Sequence, residues 1–97
     1  MNTIKIQKSA KAVDSYFEQF AGKVFTNVDS KSVNVEFYGR KKMNANAYFD
    51  FQTQKVTVVI YSAGERIKKK TVRDLAAAEA IMREFNVIRR RRRNLNS

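Results

Sequence analysis

The 97-residue sequence predicts an α+β domain in which a three-stranded antiparallel sheet carries two helices packed on one face. Apolar residues recur at helical spacing near both ends of the chain, and they alternate with polar residues in the middle. Hydrophobic residues make up 43% of the chain, including seven Phe and four Tyr, which is enough for one modest core. We therefore expect the order α-β-β-β-α in a single domain of residues 1–88, followed by an arginine-rich C-terminal tail of residues 89–97.

The first helix is predicted from about residue 9 to residue 24. Its apolar positions follow the i, i+3, i+4, i+7 pattern of an amphipathic helix and are Ala10, Val13, Phe17, Phe20 and Val24. Ser9 is expected to cap the N-terminus, and Gly22 is expected to end the helix. Before it, Ile4 and Ile6 alternate with polar residues, which indicates a short edge strand.

The middle of the chain predicts three strands joined by short turns. Residues 32–38 alternate strictly between apolar and polar side chains, which is the period of a strand with one buried face. A second strand is predicted over residues 46–52. The β-branched run KVTVVIYS over residues 55–62 gives the strongest strand prediction.

The second helix is predicted from about residue 69 to residue 87. Its apolar stripe consists of Val72, Leu75, Ala78, Met82 and Phe85. Four alanines between residues 76 and 80 favour a helix, and their small side chains allow close packing on a sheet. Because both helices need an apolar surface to cover, the simplest arrangement places them on the same face of the sheet.

The composition excludes several kinds of chemistry. The chain has no Cys and no His, so it has no disulfide, no Cys/His zinc site, no thiolate nucleophile and no imidazole base. The nine acidic residues are scattered without paired spacing, so we predict no enzyme activity, no cofactor and no metal. No apolar stretch approaches the length of a membrane helix, and the N-terminal segment lacks the apolar core of a signal peptide. These observations predict a cytoplasmic protein.

The basic residues form the first candidate site. The net charge is +11, and residues 65–97 alone carry a net charge of +7. Lys68, Lys69, Lys70 and Arg73 fall at the predicted start of the second helix, where the helix dipole disfavours cations and favours a bound phosphate. We therefore predict a phosphate site there, and a solvated basic face is the alternative.

The segment KKTVRDLAAAEAI, residues 69–81, resembles the KKxAKxxAAxxAL signature that opens the second helix of double-stranded RNA-binding domains. The predicted α-β-β-β-α order is similar to that family's order. The resemblance implies that Lys69, Lys70 and Arg73 bind phosphates across the major groove of duplex RNA. The loop between the first two predicted strands contains Arg40, Lys41 and Lys42 where the family has a Gly-Pro and a His. We expect these cations to contact the RNA backbone.

The five consecutive arginines near the C-terminus form the second candidate site: Arg89, Arg90, Arg91, Arg92 and Arg93. Guanidinium groups make bidentate contacts with phosphate, and arginine-rich arms fold on binding RNA. The alternatives for such a run are a nuclear localisation signal, a site for anionic lipid, or a solvated tail.

The aromatic residues form a third candidate surface. The Phe residues are expected in the core, whereas Tyr38, Tyr48 and Tyr61 are expected to be partly exposed. Exposed aromatic side chains on a sheet stack on unpaired bases or form a contact between two copies of the chain. A homodimer is therefore one expected assembly.

Together these patterns predict a non-catalytic protein that binds duplex or structured RNA through phosphates, with low sequence specificity. The alternative is a small viral or mobile-element inhibitor that blocks a host nuclease or defence complex, by contact with an acidic protein surface or by RNA capture. Two further readings are an Alu-type RNA binder like those of the signal recognition particle, which dimerises through its sheet, and a DNA-architectural protein. Phosphate contacts alone do not separate RNA from DNA.

Overall fold

The computed structural model describes residues 3–89, with side chains from Lys8 onward. The elements in chain order are α1 (Thr3–Glu18), β1 (Lys23–Val28), β2 (Ser32–Tyr38), β3 (Met43–Asp50), β4 (Val56–Ser62), β5 (Glu65–Val72) and α2 (Leu75–Glu84). The five strands form one antiparallel sheet in the order β1-β2-β3-β4-β5, so every strand pairs with its neighbours in sequence. The bounds predicted for the strand at residues 32–38 are confirmed.

The prediction of a three-stranded sheet is wrong, because the sheet has an additional strand at each edge. β1 begins after a four-residue connection from α1, and its first two residues, Lys23 and Val24, lie within the range predicted for the first helix. All residues of β5 are exposed except the half-buried Val72, so this strand carries no alternating apolar face that a sequence pattern could reveal. An edge strand pairs with only one neighbour, and lysines on such a strand oppose pairing with another chain.

The first helix starts and ends earlier than predicted. It runs from Thr3 to Glu18, so Ile4 and Ile6 belong to the helix and Ser9 is not its N-cap. An alternation of only three residues is too short to distinguish a strand from a helix. Gly22 lies beyond the helix, in the bend before β1, with a φ of +149°. A Cβ atom at this position would lie 2.7 Å from both the Phe37 ring and the Tyr38 carbonyl oxygen, so the bend requires glycine.

The second helix begins at Leu75, six residues later than predicted. Asp74 is its N-cap, and the Asp74 carboxylate accepts a hydrogen bond of 2.8 Å from the backbone N–H of Ala77. An acidic N-cap complements the helix dipole, whereas lysines in the first turn would oppose it. The residues up to Val72 pair with β4 instead. At the other end, Asn86 adopts a φ of 62° and turns the chain out of the helix.

One hydrophobic core lies between the sheet and the two helices, which therefore share one face of the sheet. Its strand residues are Val33, Val35, Phe37, Ala45, Ala47, Val56, Val58 and Ile60, and its helix residues are Val13, Phe17, Ala78, Ile81 and Met82. α1 packs on β1 and β2, and α2 packs on β4 and β5. The Tyr16 hydroxyl donates a hydrogen bond of 2.6 Å to Glu79 and links the two helices.

The segment after α2 packs back onto the domain. Val87 and Ile88 are buried, and the backbone N–H of Val87 donates to the Met82 carbonyl at 2.8 Å. A Cβ atom on Gly39 would lie 2.4 Å from the Val87 carbonyl oxygen, so the segment crosses close to the end of β2. The chain therefore reaches Arg89 beside the turn that connects β2 and β3.

Candidate nucleic-acid interface

The face of the sheet opposite the helices is not covered by any described part of the chain. We call it the open face. Residues on this face alternate with the core residues along each strand and are half-buried or exposed, except for the buried Val59. The open face consists of Lys23, Phe25, Asn27, Ser32, Asn34, Glu36, Tyr38, Asn44, Asn46, Tyr48, Asp50, Thr57, Val59, Tyr61, Arg66, Lys69 and Thr71.

The predicted position of the lysine triplet at a helix N-terminus is wrong, because the triplet lies in the edge strand β5. Lys69 pairs with Val59 and so projects from the open face. Lys68 and Lys70 pair with the core residues opposite them on β4, so they project from the helix side of the sheet. All three side chains are exposed. The triplet therefore places positive charge on both faces of one edge.

A β-bulge decides which cations share the open face. Tyr61 pairs with Arg66 and Ile60 pairs with Lys68, so Ile67 is an extra residue in β5. Because of this extra residue, Arg66 and Lys69 lie on the same face although they are three positions apart. Arg66 belongs to the interface but was absent from the residues selected on sequence. A bulge in a strand without apolar alternation gives no sequence signal.

The N-terminus of α2 has a different environment from the one predicted. Arg73 lies in the short connection between β5 and α2, and its side chain is 89% exposed. The Arg73 guanidinium is 3.8 Å from the Asp74 carboxylate, which caps the helix. The cap satisfies a backbone N–H that a phosphate would otherwise contact. Phosphate binding by Arg73 stays a prediction, but the helix N-terminus is not what positions Arg73 for it.

A tight turn between β2 and β3 presents three consecutive cations: Arg40, Lys41 and Lys42. The N–H of Met43 donates to the Arg40 carbonyl at 3.1 Å, and both lysines have positive φ angles of 57° and 61°. These angles are typical of a type I′ hairpin turn, which usually contains Asn and Gly. The Lys42 carbonyl accepts a hydrogen bond of 3.0 Å from Ala63 in the β4–β5 turn. The two turns, and with them Arg66, therefore lie at the same end of the sheet.

The arginine block begins at the same end. Arg89 and Arg40 line one cavity of about 270 Å³, together with Ala21 and Val87. Arg90–Arg93 lie outside the described residues, and their part in binding stays a prediction. The described chain thus brings Arg89, the cations of the β2–β3 turn and Arg66 to one end of the sheet, although they are far apart in sequence.

The carboxylates within residues 8–89 largely serve local structure. Asp29 accepts backbone N–H bonds from Lys31 and Ser32, and these bonds hold the pKa of its carboxyl below the usual range. Backbone N–H bonds from Thr53 and Gln52 likewise lower the pKa of the Asp50 carboxyl. This part of the chain holds no group of three or more acidic residues that could bind a metal ion.

Among residues 8–89, no salt bridge balances the cations of β5 or of the β2–β3 turn. Among the side chains that the structure describes, the salt bridges join Arg73 to Asp74 and Arg83 to Glu79. Neither involves a lysine of β5 or a cation of the β2–β3 turn. Two carboxylates, those of Glu36 and Asp50, lie on the open face itself.

The aromatic residues divide between the core and the open face. Tyr48 and Tyr61 are half-buried on the open face, and Tyr38 is 41% exposed. Phe25 is 52% exposed and packs edge-on against Tyr38, with ring centroids 5.8 Å apart. Sequence reasoning missed Phe25 because β1 was not predicted. On the same face, the side-chain oxygen of Asn34 is buried and has no hydrogen-bond partner among the described groups.

Comparisons of the chain with protein families, curated proteins and solved structures give no match. Membership of the double-stranded RNA-binding family therefore stays a prediction from residues 69–81. In the structure, that segment begins in a strand of a five-stranded sheet, so it does not present its lysines from a helix as the resemblance implies. Neither α1 nor α2 combines the length and the apolar character needed to cross a membrane.

Proposed function

We propose that this protein is a non-catalytic RNA-binding protein. It binds structured RNA through backbone phosphates, with low sequence specificity, on the open face of the sheet. The phosphates lie against the cations along the β5 edge, chiefly Arg66 and Lys69. Further phosphates lie against Arg40–Lys42 and Arg89 at the adjoining end of the sheet. Arg90–Arg93 lie outside the described residues, and further phosphate contacts by them are part of the proposal.

The observation that carries this proposal is an uncovered sheet face with cations along one edge and at one end. The salt bridges described leave the cations of β5 and of the β2–β3 turn uncompensated. Cations that lie close together without carboxylate partners repel one another, and a polyanion relieves that repulsion. Each phosphate that they neutralise releases condensed counterions, which drives binding and makes it sensitive to salt.

The polar side chains of the open face suit RNA. Three amides, those of Asn34, Asn44 and Asn46, line the middle of the face on β2 and β3. Side-chain amides both donate and accept hydrogen bonds, so they can bind the 2′-hydroxyl group that distinguishes RNA from DNA. The preference for RNA over DNA rests on these groups, whereas the affinity rests on the cations. A cytoplasmic location, where such RNA is present, stays a prediction.

Fluorescence anisotropy with labelled RNA and DNA of the same sequence tests the proposal. We expect tighter binding of the RNA, and an affinity that falls steeply and linearly on logarithmic axes as salt increases. A protein that binds neither nucleic acid, or whose binding is insensitive to salt, would contradict it. A stoichiometric acidic protein that copurifies after nuclease treatment would instead support the inhibitor alternative.

A further inference from the structure

A groove lies at the corner of the open face where β1 and β2 meet the β2–β3 turn. Its volume is about 820 Å³, within the range of small-molecule sites. Phe25 and Tyr38 form its apolar part, and Lys23, Glu36 and Arg40 form its polar part. Arg40 also lines the neighbouring cavity that contains Arg89, so the groove leads toward the start of the arginine block.

The two aromatic rings of the groove are exposed and do not belong to the hydrophobic core. Phe25 is 52% exposed and Tyr38 is 41% exposed, and the other exposed large hydrophobic residues of the sheet, Val28 and Ile67, are aliphatic. Their edge-on contact leaves ring surface free toward the groove. Exposed aromatic rings beside cations are the combination that proteins use to bind unpaired bases.

The polar groups around the rings match the parts of a nucleotide. Lys23 pairs with Tyr38 across the strands, and Arg40 follows two residues after Tyr38, so cations lie on both sides of the rings. The Tyr38 hydroxyl donates to the Glu36 carboxylate at 3.3 Å, and the Glu36 charge raises the pKa of that hydroxyl. Glu36 would repel a phosphate but accept an N–H group from a base.

We propose that this groove binds an unpaired nucleotide of RNA. The base stacks on Phe25 and Tyr38, an N–H group of the base donates to Glu36, and the adjoining phosphate lies between Arg40 and Arg89. This inference rests on the proposed function and adds that the protein selects RNA in which a duplex ends in an unpaired extension. Charge complementarity favours this occupant over a second copy of the chain, because the groove and its surroundings are basic.

The test compares two fluorescently labelled RNA hairpins, one with blunt ends and one with a short single-stranded extension. We expect the wild-type protein to bind the extended hairpin roughly 5- to 100-fold more tightly. The substitutions Phe25→Leu and Tyr38→Leu should remove most of that preference. The matched variants Phe25→Tyr and Tyr38→Phe keep an aromatic ring and should retain it. This contrast separates stacking from apolar packing.

A second measurement uses only the wild-type protein, so it does not depend on how any variant folds. A 5-iodouridine placed in the extension should crosslink under ultraviolet light to Phe25 or Tyr38, as located by mass spectrometry. Crosslinks confined to other residues would overturn the inference.

The outcomes separate the groove from the proposed function. Equal, salt-dependent binding of both hairpins would overturn the proposal that the groove binds an unpaired nucleotide. The proposed function would remain intact. If neither hairpin binds, both proposals fail. Sedimentation tests whether the groove instead binds a second copy of the chain. If the wild-type protein is a dimer and Phe25→Leu is a monomer, the groove is a dimer contact and the nucleotide proposal is overturned.

Discussion

Two adjacent lysines of β5 give a matched test of which face of the sheet binds RNA. Lys69 pairs with Val59 and lies on the open face, whereas Lys70 pairs with Val58 and lies on the helix side. Both side chains are exposed on the same edge strand. The substitutions Lys69→Gln and Lys70→Gln therefore remove the same charge from neighbouring positions and differ only in the face that they affect.

The expected effect follows from counterion release. Each phosphate contact contributes about 0.9 to the slope of log affinity against log salt in a duplex, and about 0.7 in a single strand. Such a contact contributes little near 1 M salt, so its loss should weaken binding about five- to eightfold at roughly 0.1 M salt. Lys69→Gln should show this loss and a slope smaller by about 0.7–0.9, while Lys70→Gln should change affinity by less than about twofold. Removing Arg66 and Lys69 together should cost roughly 25- to 60-fold if the two contacts are independent.

Anisotropy titrations at several salt concentrations measure both the affinity and the slope. The double variant Lys68→Gln/Lys70→Gln is the control for Arg66→Gln/Lys69→Gln, because each removes two positive charges from β5. Equal losses in the two double variants would refute binding on the open face and would indicate a general effect of net charge. A larger loss in the control would assign the interface to the helix side.

Three further predictions concern the framework that holds the interface. Gly39→Ala should destabilise the fold by about 1–3 kcal/mol in urea unfolding, because the added Cβ would lie 2.4 Å from the Val87 carbonyl oxygen; unchanged stability would contradict that contact. Burial and the hydrogen bond to Glu79 raise the pKa of Tyr16 from 10.0 to about 12. The folded state therefore holds this proton more tightly than the unfolded state, and the resulting stabilisation is complete below pH 10 and is lost as the pH rises to about 12. Thermal unfolding should show a smaller loss over that range for Tyr16→Phe, and an identical pH profile would contradict the assignment. Asp74→Ala should cost about 1 kcal/mol of stability through loss of the N-cap. Asp74→Ala should leave the affinity for RNA unchanged. A large loss of affinity with unchanged stability would show that Asp74 acts in RNA binding and not as a helix cap.

The sequence predicted the elements whose burial follows a regular period. β2 has the predicted bounds because Val33, Val35 and Phe37 alternate strictly with polar residues and face the core. β4, predicted from its β-branched run rather than from alternation, differs by a single residue at its start. The central strands and the apolar stripe of each helix are fixed by contact with one core, and such contact leaves a pattern that can be read from the sequence.

The edge strands left no such pattern. β5 contains a single strongly apolar residue between its ends, Ile67, and the bulge places it out of register. Its lysines are also compatible with a helix. Because the segment that follows is rich in alanine, the sequence predicts a helix that starts at about residue 69, within β5. The structure starts the helix at Leu75 because Asp74 caps it there. Pairing with β4, which is a tertiary effect, decides the conformation of residues 65–72.

The candidate site was only partly predictable for related reasons. The number and position of the cations follow directly from the sequence, and those of the β2–β3 turn were expected in a turn. The face of the sheet from which each cation projects depends on strand register and on the bulge. Arg66 and Lys69 project from the open face, whereas Lys70 projects from the helix side. The approach of Arg89 to Arg40 depends on the packing of Val87 against Gly39, a contact between distant parts of the chain.

The most direct test of RNA binding on the open face is methyl NMR of the protein during titration with RNA. Thr57, Val59 and Thr71 carry methyl groups on the open face, whereas Ala76 and Ala80 carry them on α2, on the opposite side of the sheet. We predict that the three open-face methyl signals shift with the same saturation as the binding curve, while the two α2 signals stay in place. Shifts of the alanine signals with unchanged Thr57, Val59 and Thr71 signals would contradict the proposed interface.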